Sequence, residues 1–444
     1  MSATTGHEGI GIARPSFENF RHGIVALIFI TSLFTRIEPA LTDFLGSLAI
    51  LLFFNSGLHF SRHMAAPMLF LIIYLAAGIV AVIPLIGLSF FPDQEPSQYT
   101  IGIAYVAATG VFLAGYIGAD PVNRYLRFEK AYWIGATLGS ILGLLIFFKV
   151  QPFFALNALG NNELGDFLYR VRGGYKDPNV FSTWLVFPVI SMLQAFLLGR
   201  LRPGLISLGS FAAMVLALLL AFSRGAWIDA AAGSAIMVAL SLMLTPSQGQ
   251  RLRITIVIVI GIAAVIGLLV LLLSIPSMQA LFADRFVLVK NYDAGETGRF
   301  GNQLNSIPML LQRPLGFGPY QFSAIFHLAP HNTFLGSFAS AGWAGGLFYL
   351  LLFVTHIFFA YKTIFTRSPY QPFAIAIYSC YLVMIMQGVQ IDNEHWRHLY
   401  WMMGAGWALY GATAENLGQP FRRKEILEGW GVPDGGNTGG AQTA

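Results

Sequence analysis

The fold is decided by stretches such as "ITIVIVIGIAAVIGLLVLLLSI", Ile254 to Ile275, which contains no charged side chain. An α-helix rises about 1.5 Å per residue, so about 20 apolar residues cross the roughly 30 Å hydrocarbon core of a bilayer. Of the 444 residues, 56% are hydrophobic and 11% are charged, whereas ordinary soluble domains carry about 25% charged residues. The sequence therefore predicts an all-α, polytopic membrane protein.

Apolar runs of similar length recur along the chain and predict about twelve spanning helices. They lie near residues 20–36, 41–60, 66–90, 99–119, 131–149, 179–198, 203–222, 225–244, 254–275, 343–362, 371–390 and 396–414. The first run lacks a small-residue cleavage site, so we expect a retained helix rather than a signal peptide. The single cysteine, Cys380, falls inside an apolar run and is expected to pack in the core.

Basic residues concentrate in alternate connections between these helices. With the N-terminus inside, the inner connections contain Arg62, Arg124, Arg127, Lys130, Arg200, Arg202, Arg251, Arg253, Lys362, Arg367, Arg422, Arg423 and Lys424. This is the positive-inside pattern, so both termini are predicted to be cytoplasmic. The net charge of +5 then reflects loop orientation and a lipid-bilayer setting, and it does not indicate a nucleic-acid partner. Residues 20–414 form the predicted membrane domain, and the small, polar stretches 1–19 and 415–444 are predicted to be disordered cytoplasmic tails.

Two outer connections break the pattern because they carry cations. The loop "LGNNELGDFLYRVRGGYKDPN" contains Arg170, Arg172 and Lys176, and the longest loop contains Arg285, Lys290, Arg299 and Arg313. Cations kept on the disfavoured side need another reason, and binding an anion is the simplest one. The longest loop, at 276–342 between the ninth and tenth predicted helices, is rich in turn residues and is predicted to be a structured periplasmic cap with short helices.

Arg224 lies in "AFSRGAWIDA", residues 221–230, which joins two apolar runs with almost no loop between them. Its guanidinium is therefore expected at or just below the outer membrane interface, where an arginine is costly unless it is paired or faces water. Two interpretations stay open at this point. Arg224 either snorkels or pairs with Asp229 as a structural residue, or it grips two phosphate oxygens as an anion clamp.

The stretch "TGRFGNQLNSIPMLLQRPLGFGPYQF", Thr297 to Phe322, carries two further cations. Arg299 opens a short amphipathic segment, and a turn at 316–319 can bring the chain back toward the membrane. Arg299 is either a solvated loop charge or a second anion contact. Arg313 precedes a proline and ranks below it, as a surface residue or a phosphate neighbour.

His331 lies in "LAPHNTFLGSFASAG", Leu328 to Gly342. Apolar residues recur at helical spacing after it, so a short helix is predicted that begins with Asn332 or Thr333 as N-cap and ends at Gly342. The positive end of the helix dipole disfavours an imidazolium, which leaves a neutral ring able to accept a proton. The alternative is an ordinary polar loop histidine.

Two other segments carry polar clusters. In "GGYKDPNVFSTWLVFP", residues 173–188, Asp177 to Asn179 is a helix start signal or part of a donor site. In "QIDNEHWRHLYW", residues 390–401, the aromatic side chains fit an interfacial belt. Alternatively, this segment holds an acceptor glycan through Trp396, Arg397 and His398, together with Asn332, and Trp396 stacks on a sugar.

Four motifs follow one another along the chain: "FSRGAW", "TGRF", "RPLGFGP" and "HNTFLGSFASAG". Their order, with a large outer loop before the histidine, resembles the O-antigen ligase and O-antigen polymerase superfamily of bacterial envelope enzymes, over about Leu201 to Leu382. The resemblance implies a GT-C-like glycosyltransferase of the bacterial inner membrane, with its active site facing the periplasm. Its donor would be a glycan on undecaprenyl diphosphate, and its acceptor a sugar hydroxyl of lipid A core or of a second lipid-linked glycan.

The resemblance also implies residue roles. The arginines of the family fall on Arg224 and Arg299, and its histidine falls on His331. A sugar diphosphate is an activated donor, so such a site needs cations for the leaving diphosphate and a base for the acceptor hydroxyl. Arg224 and Arg299, helped by Arg172 or Lys176, would supply the cations, and His331 would be the base.

Direct attack by the acceptor predicts inversion at the anomeric carbon. The outer loops show no metal-ligand spacing, so neither a metal nor another cofactor is expected. A ligase is the leading hypothesis and a polymerase of lipid-linked repeat units is the alternative, since the two differ in acceptor rather than in the shared motifs. A carrier-lipid or glycan transporter is more remote, because the helix interiors are nearly free of the charges that such proteins use for coupling.

Overall fold

The computed structural model describes residues 14–86, 95–158, 170–276, 279, 282–283, 295–417 and 421–432. Within these ranges the chain is helical and contains no β-strand, only an isolated parallel bridge between Phe34 and Gly174. The predicted all-α class is thus confirmed for the described residues. The part of the predicted cap at 284–294 lies outside them.

Sixteen α-helices are described, ten before the predicted cap and six from it onward. The first ten are α1 (Arg14–Thr31), α2 (Leu41–Phe53), α3 (Ala65–Val82), α4 (Pro96–Ala119), α5 (Pro121–Phe147), α6 (Pro178–Trp184), α7 (Val186–Leu198), α8 (Leu205–Leu220), α9 (Arg224–Leu244) and α10 (Gln248–Leu273). The others are α11 (Arg299–Leu311), α12 (Gln321–Phe326), α13 (Thr333–Ile364), α14 (Gln371–Gln387), α15 (Arg397–Glu415) and α16 (Arg423–Gly429).

Each of the predicted apolar segments coincides with one or two of these helices. Seven of the described spans are long and apolar enough to cross a membrane, and α2, α8 and α14 are shorter apolar helices. The structure is therefore consistent with a polytopic membrane protein, and the number of about twelve crossings stays a prediction.

The helices pack closely where glycines remove side-chain bulk. At the crossing of α4 and α15, a Cβ on Gly404 would collide with the carbonyl oxygen of Gly110. Small residues let helix backbones approach in this way in membranes, where van der Waals packing rather than the hydrophobic effect drives association. Buried aromatic residues such as Trp407 and Tyr132 fill the space around this crossing.

The segments that connect the helices contact one another at two opposite ends of the bundle. At one end, which we call the outer end, the starts of α9, α13 and α15 lie close together. For example, the Thr333 amide donates to the Gly388 carbonyl at 2.7 Å. The other, the inner end, joins the starts of α10 and α14. The positive-inside pattern predicts that the inner end faces the cytoplasm.

Helix α13 is bent at Gly342, where φ is 69° and ψ is −168°. The turn before α12 fits into the bend: the amides of Phe317 and Gly318 donate to the Ala339 carbonyl at 2.7 and 2.9 Å, and the Trp343 amide donates to the Pro314 carbonyl at 2.9 Å. Backbone groups freed by the bend are thereby satisfied. This confirms Gly342 as the end of a short helix that begins after His331.

Both predicted tails are partly ordered. Helix α1 begins at Arg14, inside the stretch predicted to be disordered, and residues 1–13 lie outside the description. At the C-terminus, residues 421–432 pack against the inner end, where the Trp430 indole is fully buried and donates to Gln371 Oε1 at 3.2 Å. The Gln250 side chain donates to the Trp430 carbonyl at 2.6 Å. The buried Trp430 side chain, whose N–H has a hydrogen-bond partner, thus holds this segment against the bundle although its sequence is otherwise polar and rich in glycine.

Candidate active site

His331 lies at the outer end, in the six-residue connection between α12 and α13. Its backbone is left-handed, with φ of 48°, a conformation that costs a non-glycine residue about 1–3 kcal/mol. The Asp392 carboxylate holds this conformation by accepting from two successive amides, those of His331 at 2.9 Å and Asn332 at 3.0 Å. His331 Nδ1 lies 4.0 Å from Asp392 Oδ2, and the imidazole is 37% exposed.

The first turn of α13 is fixed to the segment before α15. Asn332 is the N-cap, as predicted, and its side chain accepts from the Leu335 amide at 3.0 Å. The buried Thr333 hydroxyl lies 2.9 Å from Glu394 Oε2 and accepts from the Asn393 amide at 2.7 Å. These bonds leave the histidine little freedom to move relative to its carboxylate partner.

Asp392 is a strongly perturbed carboxylic acid. Burial and the nearby charge of Glu394 raise its pKa to about 7, while the two amide donors and Arg299 act in the opposite direction. A carboxyl group that changes charge near neutral pH beside a histidine is typical of a functional site. Ionised, Asp392 would stabilise a positive charge on the His331 ring.

Arg299 is the first residue of α11, and the structure places it beside this pair. Its Nη1 donates to the Gln390 carbonyl at 3.3 Å, two residues before Asp392. The next turn of α11 also contacts the histidine segment, since Gln303 Nε2 donates to the Pro330 carbonyl at 2.8 Å. The sequence places Arg299 and His331 more than thirty positions apart, and α11 brings both to the same surface.

Arg224 lies at the start of α9, which contacts the end of α14 and is thereby connected to the same region. It is the first residue of α9, and a Cβ on the following Gly225 would collide with the Gln387 side chain. Gln387 ends α14, and the next residue is Gly388, whose carbonyl accepts from the Thr333 amide. Asp229 is buried, and its Oδ2 accepts no hydrogen bond from any described residue.

Arg172 and Lys176 lie in a segment that docks beside the start of α9. The Val171 amide donates to the Leu220 carbonyl at 2.9 Å. Arg172 is 5% exposed, and burial lowers its pKa. Burial and the charge of Arg172 also lower the pKa of Arg36 to about 10, so the two guanidinium groups are close enough to interact electrostatically.

Lys176, in contrast, is exposed and pairs with Glu38 at 3.1 Å. Its ammonium therefore already has a carboxylate partner at the surface. In the same segment Asp177 accepts from the Asn179 amide at 2.7 Å, which confirms it as a helix cap.

The predicted acceptor residues are mostly occupied by the protein itself. Trp396 is 3% exposed and stacks on His398 with ring centroids 5.2 Å apart, which leaves no free face for a sugar. His398 is equally buried. Arg397 makes two bonds of 2.8 Å to the Asp43 carboxylate. The aromatic side chains of this segment, Trp396, Tyr400 and Trp401, are buried inside the bundle rather than exposed in an interfacial belt.

Two site residues escape prediction from local patterns. Asp392 lies in the polar segment 390–401 without a motif of its own, and no local pattern distinguishes Tyr99, whose hydroxyl donates to Glu394 Oε1 at 2.5 Å. Their roles depend on contacts between segments that are far apart in the chain, which periodicity does not report. The unusual density of charge in an outer loop was the available signal for Asp392.

The arrangement provides an exposed imidazole, a carboxylate behind it and a guanidinium beside it, with a second guanidinium at the neighbouring helix start. Such a set can remove a proton from a hydroxyl and stabilise an anionic leaving group.

Residues 209–350 match a family model described as O-antigen ligase. This range includes Arg224, Arg299 and His331, and it supports the O-antigen ligase and polymerase family. Enzymes of that family carry out glycosyl transfer with lipid-linked glycans in a membrane. No curated protein matches the chain.

Proposed function

Because its central region matches the O-antigen ligase family, we propose that this protein transfers a glycan from undecaprenyl diphosphate to an acceptor sugar hydroxyl, with lipid A core as the acceptor. The observation that carries the proposal is the His331 and Asp392 pair next to Arg299 at the outer end. In the proposed setting this end faces the periplasm of a bacterial inner membrane, and both termini are cytoplasmic.

The proposed reaction is one direct displacement. The acceptor hydroxyl loses its proton to His331 Nε2, since Nδ1 faces Asp392. The acceptor oxygen bonds to the anomeric carbon while the bond from that carbon to the diphosphate oxygen breaks, which inverts the configuration. The proton stays on the imidazole as the diphosphate leaves, and ionised Asp392 stabilises the resulting charge.

The leaving diphosphate carries the negative charge that the cations neutralise. Arg224 and Arg299 are the proposed contacts, because a guanidinium forks onto two phosphate oxygens and stays charged. Arg172 would act at longer range, through the positive potential that it shares with Arg36. Lys176, which pairs with Glu38, and Arg397, which pairs with Asp43, are not part of this proposal.

A product assay tests the proposal. The purified protein in lipid nanodiscs is incubated with undecaprenyl diphosphate-linked oligosaccharide, with and without lipid A core. Glycan on the core shows a ligase, whereas longer lipid-linked chains without the core show the alternative, a polymerase. Unchanged donor in both reactions contradicts the proposal, and full activity in EDTA supports a mechanism without a metal ion.

A further inference from the structure

Helix α11 is amphipathic, but its polar face is turned toward the protein and its apolar face is turned away from it. Its polar side chains Asn302 and Ser306 are 5% and 0% exposed and face the protein. Asn302 Nδ2 lies 3.2 Å from the carbonyl of Phe326, which fixes this polar face to the cap. A helix at a water-facing protein surface would turn these residues outward instead.

The apolar face of α11 points away from the protein. Phe300, Leu304, Ile307 and Leu311 follow one another at steps of four, three and four residues, so they form one stripe along the helix. They are between 46% and 69% exposed. Four large apolar side chains in a row are unfavourable in water, so this stripe is expected to contact another apolar surface.

The stripe continues into the surface of a spanning helix. Trp343, the first residue of the long arm of α13, donates from Nε1 to the Leu310 carbonyl at 2.8 Å and so ties the end of α11 to α13. Trp343 and Leu347 are 46% and 51% exposed, and Val354 further along α13 is 58% exposed. The apolar surface of α13 that would face lipid therefore runs without interruption onto α11.

We propose that α11 lies in the membrane interface at the outer end, with this stripe inserted among the lipid acyl chains. A helix of this kind binds the boundary between headgroups and acyl chains through its buried apolar area. The continuity with α13 favours bilayer lipid over a second copy of the chain, because the same lipid layer covers both surfaces. Trp343 lies where interfacial tryptophans are enriched.

The lipid contact has a consequence for catalysis, which rests on the proposed function. Helix α11 begins with Arg299, and its Gln303 side chain holds the carbonyl just before His331. The membrane thus positions the donor cation and the base through a single helix. Anything that lifts α11 from the bilayer should misplace both groups.

Fluorescence quenching by brominated lipid tests the contact directly. The only cysteine, Cys380, is fully buried and will not react. Bimane is attached to Leu304→Cys, to Leu311→Cys and, as the matched control, to Gln312→Cys, an exposed neighbour off the stripe. Each protein is placed in nanodiscs whose acyl chains carry bromine.

Strong quenching at positions 304 and 311, several-fold above that at 312, is the expected result. Equal quenching at all three positions overturns the proposal. So does an unquenched stripe in protein that is dimeric by mass photometry, which would show a second copy on this face.

A second pair of variants separates the lipid contact from its catalytic consequence. Leu311→Asp should lower the transfer rate in nanodiscs severalfold, and Gln312→Asp should not. Normal transfer by Leu311→Asp, combined with the expected quenching, would overturn the consequence and leave the lipid contact standing. An absence of transfer in every protein, wild type included, would instead count against the proposed function.

Discussion

Both ends of the bundle have a basic group beside a carboxylate, but the two pairs differ in geometry and exposure. At the inner end Arg200 Nη1 lies 2.9 Å from Glu129 Oε2, and the Glu129 side chain is wholly buried. The same guanidinium donates to Gln194 and lies over the ring of Phe373, 5.1 Å from its centroid. At the outer end the corresponding groups, His331 and Asp392, are 4.0 Å apart, and the histidine is exposed.

The inner pair is hydrogen-bonded and enclosed by the protein, whereas the outer pair is more widely spaced and partly exposed. A closed, hydrogen-bonded ion pair inside a protein holds the fold, because removing one partner leaves a buried charge. In the outer pair the carboxylate keeps a left-handed backbone in place, and the imidazole is 37% exposed. The difference supports the proposal that the inner end provides stability and that the outer end carries out the reaction.

Breaking the inner pair should have the largest effect on stability. Glu129→Ala leaves the largely enclosed Arg200 without its carboxylate partner, so we expect a loss of about 3–5 kcal/mol, measured as a lower melting temperature in detergent. The rate of transfer per folded molecule should not change. Glu415→Ala is the control, because its pair with His59 at the same end is exposed and is worth about 1 kcal/mol or less.

At the outer end, removing the clamp should weaken donor binding. Arg224→Ala loses charge-assisted contacts and should raise the Kd for undecaprenyl diphosphate about 10- to 100-fold. Arg224→Lys keeps the charge but loses the fork, so its effect should be smaller. Equal donor affinity in wild type and Arg224→Ala would contradict the clamp.

The carboxylate behind the histidine should give the activity a pH dependence. Since the pKa of Asp392 is raised to about 7, the wild-type rate should fall as pH drops through that value and the carboxylate gains a proton. Asp392→Asn should lower the rate about tenfold at high pH and lose the part of the acidic limb that is due to this carboxylate, while protonation of the base His331 still lowers the rate in acid. A pH profile identical to that of wild type would show that Asp392 plays no part.

The same shift affects stability with a defined sign. The folded protein keeps the proton of Asp392 between pH 3.8 and about 7, where the unfolded chain has released it. Stability from this group is therefore greatest at low pH and falls as pH rises through that window. Asp392→Asn should remove this part of the pH dependence of the melting temperature.

The smallest effect is expected for the C-terminal contact at the inner end. Trp430→Phe keeps an aromatic ring at this position but loses the hydrogen bond from the indole N–H to Gln371. This loss should cost about 1 kcal/mol and leave transfer unchanged. Lys424→Ala, an exposed residue of the same helix, is the control. A loss of transfer in Trp430→Phe would show that the inner end takes part in the reaction.

The helices and their ends follow from local sequence. Long apolar runs predict the membrane helices, and Asp177, Asn332 and Gly342 act at helix ends as their side chains or backbone freedom require. The buried state of Cys380 also agrees with its apolar surroundings.

The contacts of the site do not follow from local sequence, because they join distant segments. Asp392 and His331 are sixty-one positions apart, and only the packing of α13 against the segment before α15 brings them together. Trp396 illustrates the opposite failure: an aromatic residue near a helix end suggests an exposed belt, yet it is buried by neighbours that the sequence does not specify. Trp430 is a third case, since one buried side chain orders an otherwise polar tail.

The proposed catalytic role of His331 is tested most directly by the transfer rate of His331→Ala in nanodiscs, measured together with the binding of the lipid-linked donor. A general base contributes about 10²- to 10⁴-fold to a rate, so transfer should fall by that factor while donor affinity stays at the wild-type value. His327→Ala, an exposed histidine of the same cap with a left-handed backbone, is the matched control and should keep full activity. Undiminished transfer by His331→Ala would contradict the assignment of the base and of the outer end as the catalytic one.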